Sequence, residues 1–322
     1  MCDVRLCLMI EGQEGVSWEQ WMALAEATER SGLEGLFRSD HYLSGNGRVG
    51  LGSSDAWTTL AAIAARTQRI RLGTMVSPAT FRHPSVTASA ANVVDHVSGG
   101  RVELGLGAGW YELEHQAFGF PFPPVGERME MLEEQLEIVH RQWTEDEFSF
   151  RGKHYQLDRC QALPRSLQQP RPPIVVGGGG KPRTVAAAAR FAQEYNTTEA
   201  EPAECARIRH RLDEACERSG RDPAGMTFSV MTTTVVGGDQ AELERRVSAV
   251  GRLWGDDRPA AEVLAEKRDG EWIAGTVDEV VERLRGLREA GVERVMLQHL
   301  DHADVEMVEL LGTELAPRVA GL

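Results

Sequence analysis

The sequence predicts an α/β fold in which eight parallel strands close into a (β/α)8 TIM barrel. Short apolar runs alternate with amphipathic stretches of helical length, and the alternation repeats eight times along the 322 residues, as in parallel βαβ units. A chain of this length fits one such barrel. A doubly wound open sheet is the alternative, but it would carry a glycine fingerprint after the first strand, and none stands there. The barrel places the active site at the carboxyl ends of the strands.

The first half of the chain gives four strand–helix units. An apolar run forms the first strand, and the amphipathic helix after it stops at Gly32. The short second strand, Leu36-Phe37, leads into Ser39-Asp40-His41. The predicted first strand is residues 4–9, and the third and fourth are residues 70–76 and 102–107. The predicted helices are residues 18–30, 55–66, 84–97 and 127–143.

The second half gives four more units. A fully apolar strand, residues 173–176, ends in four consecutive glycines, and the strand at 227–236 is recognised by its β-branched residues. Another short strand ends near Asn196, and the last covers residues 292–298. The predicted helices are residues 183–191, 204–218, 277–290 and 304–315.

Two segments interrupt the alternation. Residues 147–157 are predicted to form a small hairpin that turns at Arg151-Gly152, and residues 237–272 form an insertion with helical pieces at 241–254 and 260–268. Segments of this length are typically lids or oligomer contacts. No linker or low-complexity segment is present, so residues 1–322 are predicted to form a single domain.

Composition excludes several classes of function. The chain has 35 Lys+Arg against 49 Asp+Glu, a net charge of −14, which argues against a nucleic-acid or acidic-membrane surface. Neither a signal peptide nor a membrane span is expected. The 5 cysteines show no CxxC spacing and fit a reducing cytoplasm. Lysine occurs only at Lys153, Lys181 and Lys267.

The glycine run is the strongest local signal. Gly177, Gly178, Gly179 and Gly180 lie between a buried strand and a helix, where backbone N–H groups can approach an anion. Lys181 and Arg183 add positive charge there, although Pro182 after the lysine excludes a P-loop. We interpret the run as a phosphate site; the alternative is a tight turn that needs positive φ.

A second glycine-rich segment, residues 105–109, ends the fourth strand. It fails the dinucleotide pattern because Trp110 stands where a further glycine is needed. Small residues at this end of a barrel strand would let a planar ring lie against the backbone, and close packing of strands is an equal alternative.

His41 is the predicted proton-transfer residue, because it follows the second strand at the catalytic face and imidazole titrates near neutral pH. Two further Asp-His pairs occur at 95–96 and 301–302, where a helix surface and a loop are expected. His299, Asp301 and His302 have metal-ligating side chains, but their spacing matches no ligand motif, so no metal site is predicted. No nucleophile elbow, HExxH motif or catalytic cysteine signature appears.

Several segments together resemble the luciferase-like monooxygenase superfamily, and within it the bacterial, actinobacterial branch that uses the deazaflavin coenzyme F420. The resemblance runs from about Arg5 to Pro317. Its segments are Ser39-Asp40-His41, residues 72–77 with 81–84, residues 104–110 with Glu114 and 117–119, Arg128 with Leu132-Glu133 and Leu136, residues 152–155, residues 172–174 with 177–180, and Gly275-Thr276 with Glu279-Val280.

The resemblance implies a luciferase-like barrel whose mouth binds a flavin or deazaflavin. It implies a non-prolyl cis peptide between Met75 and Val76 behind the ring, with Asp40 and His41 lining the ring and the substrate. It further implies that the other edge of the ring is flanked by Gly107, Ala108 and Gly109. The cofactor phosphate would rest on the glycine run, with Lys181 beside it and Thr197 or Thr198 assisting.

Trp110 departs from the pattern of the branch. Sugar-phosphate dehydrogenases of the branch carry an acidic residue at this position, so a tryptophan in the substrate pocket suits a more apolar or planar substrate. The direction of reaction stays open.

Three functions follow from these residues. The first is an F420-dependent oxidoreductase, a cytoplasmic homodimer that transfers a hydride between the deazaflavin C5 and a small organic substrate, with His41 as proton donor or acceptor. The second is an FMN-dependent two-component monooxygenase. The third is a non-catalytic flavin-binding protein, against which His41 and the insertion argue.

The cofactors of all three functions are anionic, so in an acidic protein they need a local positive patch. Lys181 beside the glycines supplies one.

Overall fold

The computed structural model describes residues 4–45, 47–48, 50–268 and 272–321. The strands are β1 Arg5–Ile10, β2 Gly35–Arg38, β3 Arg71–Thr74, β4 Ser77–Pro78, β5 Val102–Gly107, β6 Phe148–Arg151, β7 Gln156–Cys160, β8 Ile174–Gly177, β9 Glu194–Thr197, β10 Thr227–Gly237, β11 Ile273–Thr276 and β12 Arg294–His299. The helices are α1 Trp18–Arg30, α2 Ala56–Ala64, α3 Pro84–Ser98, α4 Glu112–Phe118, α5 Val125–Thr144, α6 Pro182–Phe191, α7 Pro202–Arg218, α8 Gln240–Leu253, α9 Ala260–Lys267, α10 Val277–Glu289, α11 Val305–Leu310 and α12 Ala316–Val319.

Eight parallel strands close into a barrel, which confirms the predicted fold class. They pair in the order β1, β2, β3, β5, β8, β9, β10 and β12, and β12 pairs with β1 to complete the ring. Helices between successive strands cover the outside, because each parallel crossover returns over the same face of the sheet.

Side chains of β1 show how the barrel divides its core. Leu6, Leu8 and Ile10 belong to the large apolar layer between strands and helices, whereas Cys7 and Met9 belong to the small cluster inside the barrel. Successive residues of a strand point to opposite faces. The sheet is therefore buried on both sides, as expected of a parallel barrel.

Local sequence signals fix the helix ends. Ser17 and Gln20 form a capping box at the start of α1, and Thr276 and Glu279 form another at the start of α10. Gly99, with φ 70°, ends α3 in the left-handed conformation that glycine adopts without steric cost.

Helix α4 and strand β11 are among the elements not expected from the sequence, as are the short elements β4 and α12. The predominantly polar helix α4 buries only Glu114 and His115, so it lacks the apolar stripe by which amphipathic helices are recognised. Strand β11 has only 4 residues and lies directly before α10. The expectation that the Asp95-His96 pair lies on a helix surface is wrong for Asp95, which is buried and accepts hydrogen bonds from the backbone N–H groups of Leu167 and Gln168.

Two additions sit on the barrel. Strands β6 and β7 pair as an antiparallel hairpin. Helices α8 and α9 follow β10, and β11 then pairs with β10 in parallel from Thr234↔Ile273 to Gly237↔Thr276. The two helices have a small apolar core of their own, which includes Leu243, Val247 and Val263. None of the helices in the described ranges is both long and apolar enough to cross a bilayer.

Candidate active site

A cavity of about 1170 Å³ opens at the carboxyl ends of the barrel strands. Its wall is formed by residues that end or directly follow these strands, and by the insertion helices above them. A typical small-molecule site is about 300–1000 Å³, so this cavity can hold a cofactor and a substrate together. Wall residues from the strand ends are Glu11, Ser39, His41, Val76, Gly107, Gly177, Thr198, Thr233 and Gln298, and those from the insertion include Val250, Trp254 and Val263.

His41 is paired with a buried carboxylate. Its Nδ1 lies 2.9 Å from Oε2 of Glu114, a residue whose side chain is fully buried. Since an ionised carboxylate only accepts hydrogen bonds, Nδ1 carries the proton and Nε2 is left for the cavity. Burial alone would lower the pKa of His41, but the hydrogen bond and charge of Glu114, with the charges of Glu11 and Asp40, raise it above its ordinary value.

The same carboxylate fixes the loop that carries His41. Oε1 of Glu114 accepts hydrogen bonds from the backbone N–H groups of Tyr42 and Leu43. One side chain from α4 thus holds the imidazole and the two residues after it. Sequence reasoning noted Glu114 only as part of the family resemblance. The contact spans 73 residues of chain, so no local pattern reveals it.

Trp110 forms an aromatic wall beside His41. Its ring is 65% exposed, stacks on Tyr111 with centroids 4.9 Å apart, and meets the His41 ring edge-on at 5.8 Å. The Tyr111 hydroxyl donates to the carbonyl of Ser44 at 2.8 Å. Because Tyr111 is buried and its hydroxyl is hydrogen-bonded, its ring stays in place and Trp110 stacks on a fixed surface.

The Met75–Val76 peptide is cis, as the family resemblance implies. Val76 packs against glycines of two strands: a Cβ on Gly107 would lie 2.7 Å from its side chain, and one on Gly177 3.1 Å. These glycines are therefore required by the close approach of Val76. Strand packing explains Gly105 as well, where a Cβ would lie 2.0 Å from the carbonyl oxygen of Thr74. The close packing of strands that was the alternative interpretation of this segment is therefore present.

The glycine run is partly tied to the neighbouring strand. Gly178 N–H donates to the carbonyl of Asn196, and Gly180 N–H donates to the hydroxyl of Tyr195 at 2.8 Å. Gly180 has φ 69°, so the turn that was the alternative interpretation is also present. Helix α6 begins directly after it without a side-chain cap. Backbone donors at the start of α6 are thus open to an anion.

The cavity collects most of the predicted site residues. Those that line it are His41, Met75, Val76, Gly107, Ala108, Gly109, Trp110, Gly177, Gly178, Gly179, Lys181 and Thr198. Asp40 and Gly180 do not line it. The Asp40 carboxylate is 1% exposed and accepts hydrogen bonds from Ser77 and Arg82, which turns it toward the β3–α3 loop. Within the described ranges no three His, Cys, Asp or Glu side chains converge as metal ligands.

Comparison with known proteins identifies the family. The sequence profile described as luciferase-like monooxygenase matches residues 7–294, a range that begins in β1 and ends in β12. The chain belongs to the luciferase-like monooxygenase family. Members of this family are oxidoreductases, and the chain is an oxidoreductase.

Relatives within the family use different cofactors. An F420-dependent glucose-6-phosphate dehydrogenase of Nakamurella multipartita is 28% identical over 317 residues, which covers 93% of this chain and 92% of the relative. An FMNH2-dependent dimethylsulfone monooxygenase of Pseudomonas putida is 24% identical over 326 residues, covering 93% and 87%.

Solved structures of family members share the barrel. The F420-dependent tetrahydromethanopterin reductase of Methanopyrus kandleri superposes with a TM-score of 0.78 at 20% identity, covering 98% of this chain and 99% of the reductase. A monooxygenase of Streptomyces bottropensis superposes with a TM-score of 0.84 at 22% identity, covering 98% and 100%. At these identities the likeness extends to the fold.

Proposed function

We propose that the protein is an F420-dependent oxidoreductase that transfers a hydride between the deazaflavin C5 and a small organic substrate. One observation carries the proposal: the His41–Glu114 pair lies in the same cavity as the uncapped start of α6. A proton-transfer group and an anion site thus share one compartment. The F420-dependent dehydrogenases that align over nearly the whole chain support the choice of cofactor.

The residues present fit such a cofactor. The first turn of α6 and Lys181 provide donors and positive charge for its phosphate, and Thr198 lines the same end. Val76, backed by Gly107 and Gly177, offers an apolar bed for a planar ring. F420, when bound, supplies the two-electron hydride chemistry.

The chain's own residues would supply orientation and the proton. Nε2 of His41 accepts a proton when the imidazole is neutral and donates one when it is charged. Glu114 keeps the ring in the orientation that presents Nε2. The Trp110–Tyr111 wall and the insertion helices narrow the mouth and limit the access of water.

A second candidate is an FMN-dependent monooxygenase that receives reduced flavin from a partner. It is supported by the alignment with the dimethylsulfone monooxygenase, which also covers nearly the whole chain. The same anion site would serve the FMN phosphate.

Anaerobic titration decides between the two. We expect F420 to bind the purified protein with a change in deazaflavin fluorescence, and FMN to bind more weakly. Tight binding of FMN together with no binding of oxidised or reduced F420 would overturn the proposal in favour of the monooxygenase.

We further propose a cytoplasmic homodimer that has a small-molecule substrate and neither a nucleic-acid nor a membrane partner. An apolar face on α3, formed by Val86, Val93 and Val97, is exposed by 44% or more at each residue and supports self-association. Free cysteines at 7, 160, 205 and 216 fit a reducing compartment. Sedimentation velocity on the purified protein measures the assembly.

A further inference from the structure

The cavity has two ends of opposite chemical character. Lys181 and the start of α6 make one end cationic. The other end, beside His41, contains the carboxylates of Glu11 and Glu14 and the aromatic wall of Trp110 and Tyr111. The cationic end suits a cofactor phosphate, so the acidic end is left for the substrate.

Glu11 is a buried carboxylate that is held by neutral groups. It is 9% exposed, and its two oxygens accept hydrogen bonds from the side-chain amides of Gln13 at 2.7 Å and Gln298 at 2.5 Å. Gln13 accepts from Ser39, and Gln298 accepts from Thr233 at 2.7 Å. This chain of hydrogen bonds fixes the carboxylate in the cavity wall. The charges of Arg38 and His41 also act on Glu11, but the hydrogen bonds to its carboxylate come from the two amides.

Glu14, the other carboxylate at this end of the cavity, is hydrogen-bonded differently from Glu11. Its carboxylate accepts from Arg48 at 2.6 Å, from the Ser44 hydroxyl and from Gly45 N–H. Arg48 of the chain thus pairs directly with Glu14, whereas Glu11 accepts its hydrogen bonds from two neutral amides. A carboxylate offers about four lone-pair positions, and Glu11 uses two of them for these amides.

The cations of the insertion are also compensated. Arg258 lines the cavity and pairs with Asp256 and with Glu266, each at 2.7 Å. Lys267 lies 3.1 Å from Glu266. An anionic substrate entering beside the insertion would therefore meet ion pairs, and further in it would meet Glu11.

Further aromatic rings line the cavity. Trp254 and Trp272 of the insertion line the cavity together with Trp110 and Tyr111. Aromatic faces attract cations through the ring quadrupole, and they also stack on planar groups. A cavity that has aromatic walls and a carboxylate hydrogen-bonded by neutral amides is suited to a protonated amine.

We propose that the substrate carries a basic nitrogen on a planar or apolar body, and that its ammonium group binds Glu11 while the body packs against Trp110. The assignment rests on the proposed function, since the cofactor occupies the cationic end. It distinguishes this chain from the sugar-phosphate dehydrogenases among its relatives, whose substrate is a dianion.

Three indole probes of similar shape and different charge test the assignment. Tryptamine is cationic at pH 7.5, tryptophol is neutral and indole-3-propionate is anionic. Their affinities for the F420-loaded protein are measured from deazaflavin fluorescence and by calorimetry, in the native chain, in Glu11→Gln and in Glu112→Gln. Glu112 is exposed on α4, and its variant changes the net charge equally without altering the cavity wall.

We expect tryptamine to bind about tenfold or more tightly than tryptophol, since a hydrogen bond to a charged group contributes that much, and indole-3-propionate to bind weakest. The preference persists in Glu112→Gln and disappears in Glu11→Gln. Equal affinities, or a preference that survives in Glu11→Gln, would overturn the assignment. If Glu11→Gln does not fold, the order of the three probes in the native chain decides, and tight binding of the anion contradicts the assignment.

The test separates this inference from the proposed function. If F420 does not bind, the proposed function fails, and the same titrations on the unloaded protein still measure the charge preference of the acidic end. If F420 binds and the probes show no charge preference, only the substrate assignment fails.

Discussion

The guanidinium of Arg294 donates two hydrogen bonds to the carboxylate of Glu103, at 2.7 and 3.2 Å, inside the end of the barrel opposite the cavity. Arg294 also donates to Glu194 at 2.8 Å and is 1% exposed. Burial raises the pKa of Glu103, but the charges of Arg294 and Arg71 outweigh it and lower the pKa to about 2. A charged cluster thus closes the barrel at the amino ends of its strands.

Arg294→Met is expected to destabilise the protein by about 3–5 kcal/mol, because it leaves buried carboxylates without their cation. Urea unfolding followed by circular dichroism measures the change. Arg285→Met is the control, since Arg285 pairs with Glu282 on the surface and such pairs contribute about 0–1 kcal/mol. Equal effects of the two substitutions would contradict the role given to the buried cluster.

His41→Ala is expected to lower turnover by roughly 10²–10⁴-fold while cofactor affinity stays within a few-fold. The proposed phosphate site and the apolar surface formed by Val76 lie on other strand ends, so we expect loss of the imidazole to remove the proton-transfer group while cofactor affinity changes little. Steady-state kinetics and cofactor titration of the same preparation separate the two effects. Unchanged turnover would remove His41 from the mechanism.

Glu114→Gln is expected to shift the pH–rate profile to lower pH. Burial lowers the pKa of His41, and the hydrogen bond and charge of Glu114 raise it, so a neutral amide at 114 lets the pKa fall. The kcat/KM profile reports the titration in the free enzyme. Glu112→Gln is the control, since Glu112 lies two residues away on the exposed side of α4, and it should leave the pH–rate profile unchanged. If the profile of Glu114→Gln were also unchanged, the His41–Glu114 pair would not set the protonation of His41.

Two buried histidines should make the fold sensitive to mild acid. Burial lowers the pKa of His299 to about 3 and that of His302 to about 4. The unfolded chain takes up protons near pH 6.5 and the folded chain does not. Stability therefore falls as pH drops below about 6.5, by up to about 1.4 kcal/mol per pH unit for each histidine.

Urea unfolding between pH 7 and pH 5 measures this slope. His302→Asn should reduce the dependence of the free energy of unfolding on pH. His210→Asn, at an exposed position on α7, should leave that dependence unchanged. A slope that is the same in His302→Asn as in the native chain would contradict the assignment.

Gly179 and Gly180 should respond differently to alanine. A Cβ on Gly179 meets no atom within 4 Å, whereas one on Gly180 would lie 2.7 Å from Ile208 at φ 69°. Gly180→Ala should lower the free energy of unfolding by about 1–2 kcal/mol. Gly179→Ala should leave the free energy of unfolding unchanged and weaken cofactor binding, because the added methyl group would occupy open space at a residue that lines the cavity beside the proposed phosphate site. Differential scanning fluorimetry and cofactor titration check both; an unaltered cofactor affinity in Gly179→Ala would place the phosphate elsewhere.

The sequence was sufficient for the barrel because its strands are apolar on both faces and its helices have apolar stripes. It also placed twelve predicted residues around one cavity, since strand ends of a barrel converge by geometry. It could not assign Glu114 or Glu11 a role. Both depend on contacts between residues far apart in the chain, His41 with Glu114 and Glu11 with Gln298. The family resemblance implied that Asp40 lines the ring, but its carboxylate accepts a hydrogen bond from Arg82 and the residue does not line the cavity.

Strand β11 attaches the insertion to the barrel by pairing with β10, the strand that the insertion follows. The chain departs from the end of β10 and returns alongside that same strand, so α8 and α9 form a crossover with an apolar core separate from the main one. The eight-stranded ring closes through β12 and β1 without β11. We therefore expect that replacing this segment would change the helices above the cavity and leave the strand ends that line its floor in place.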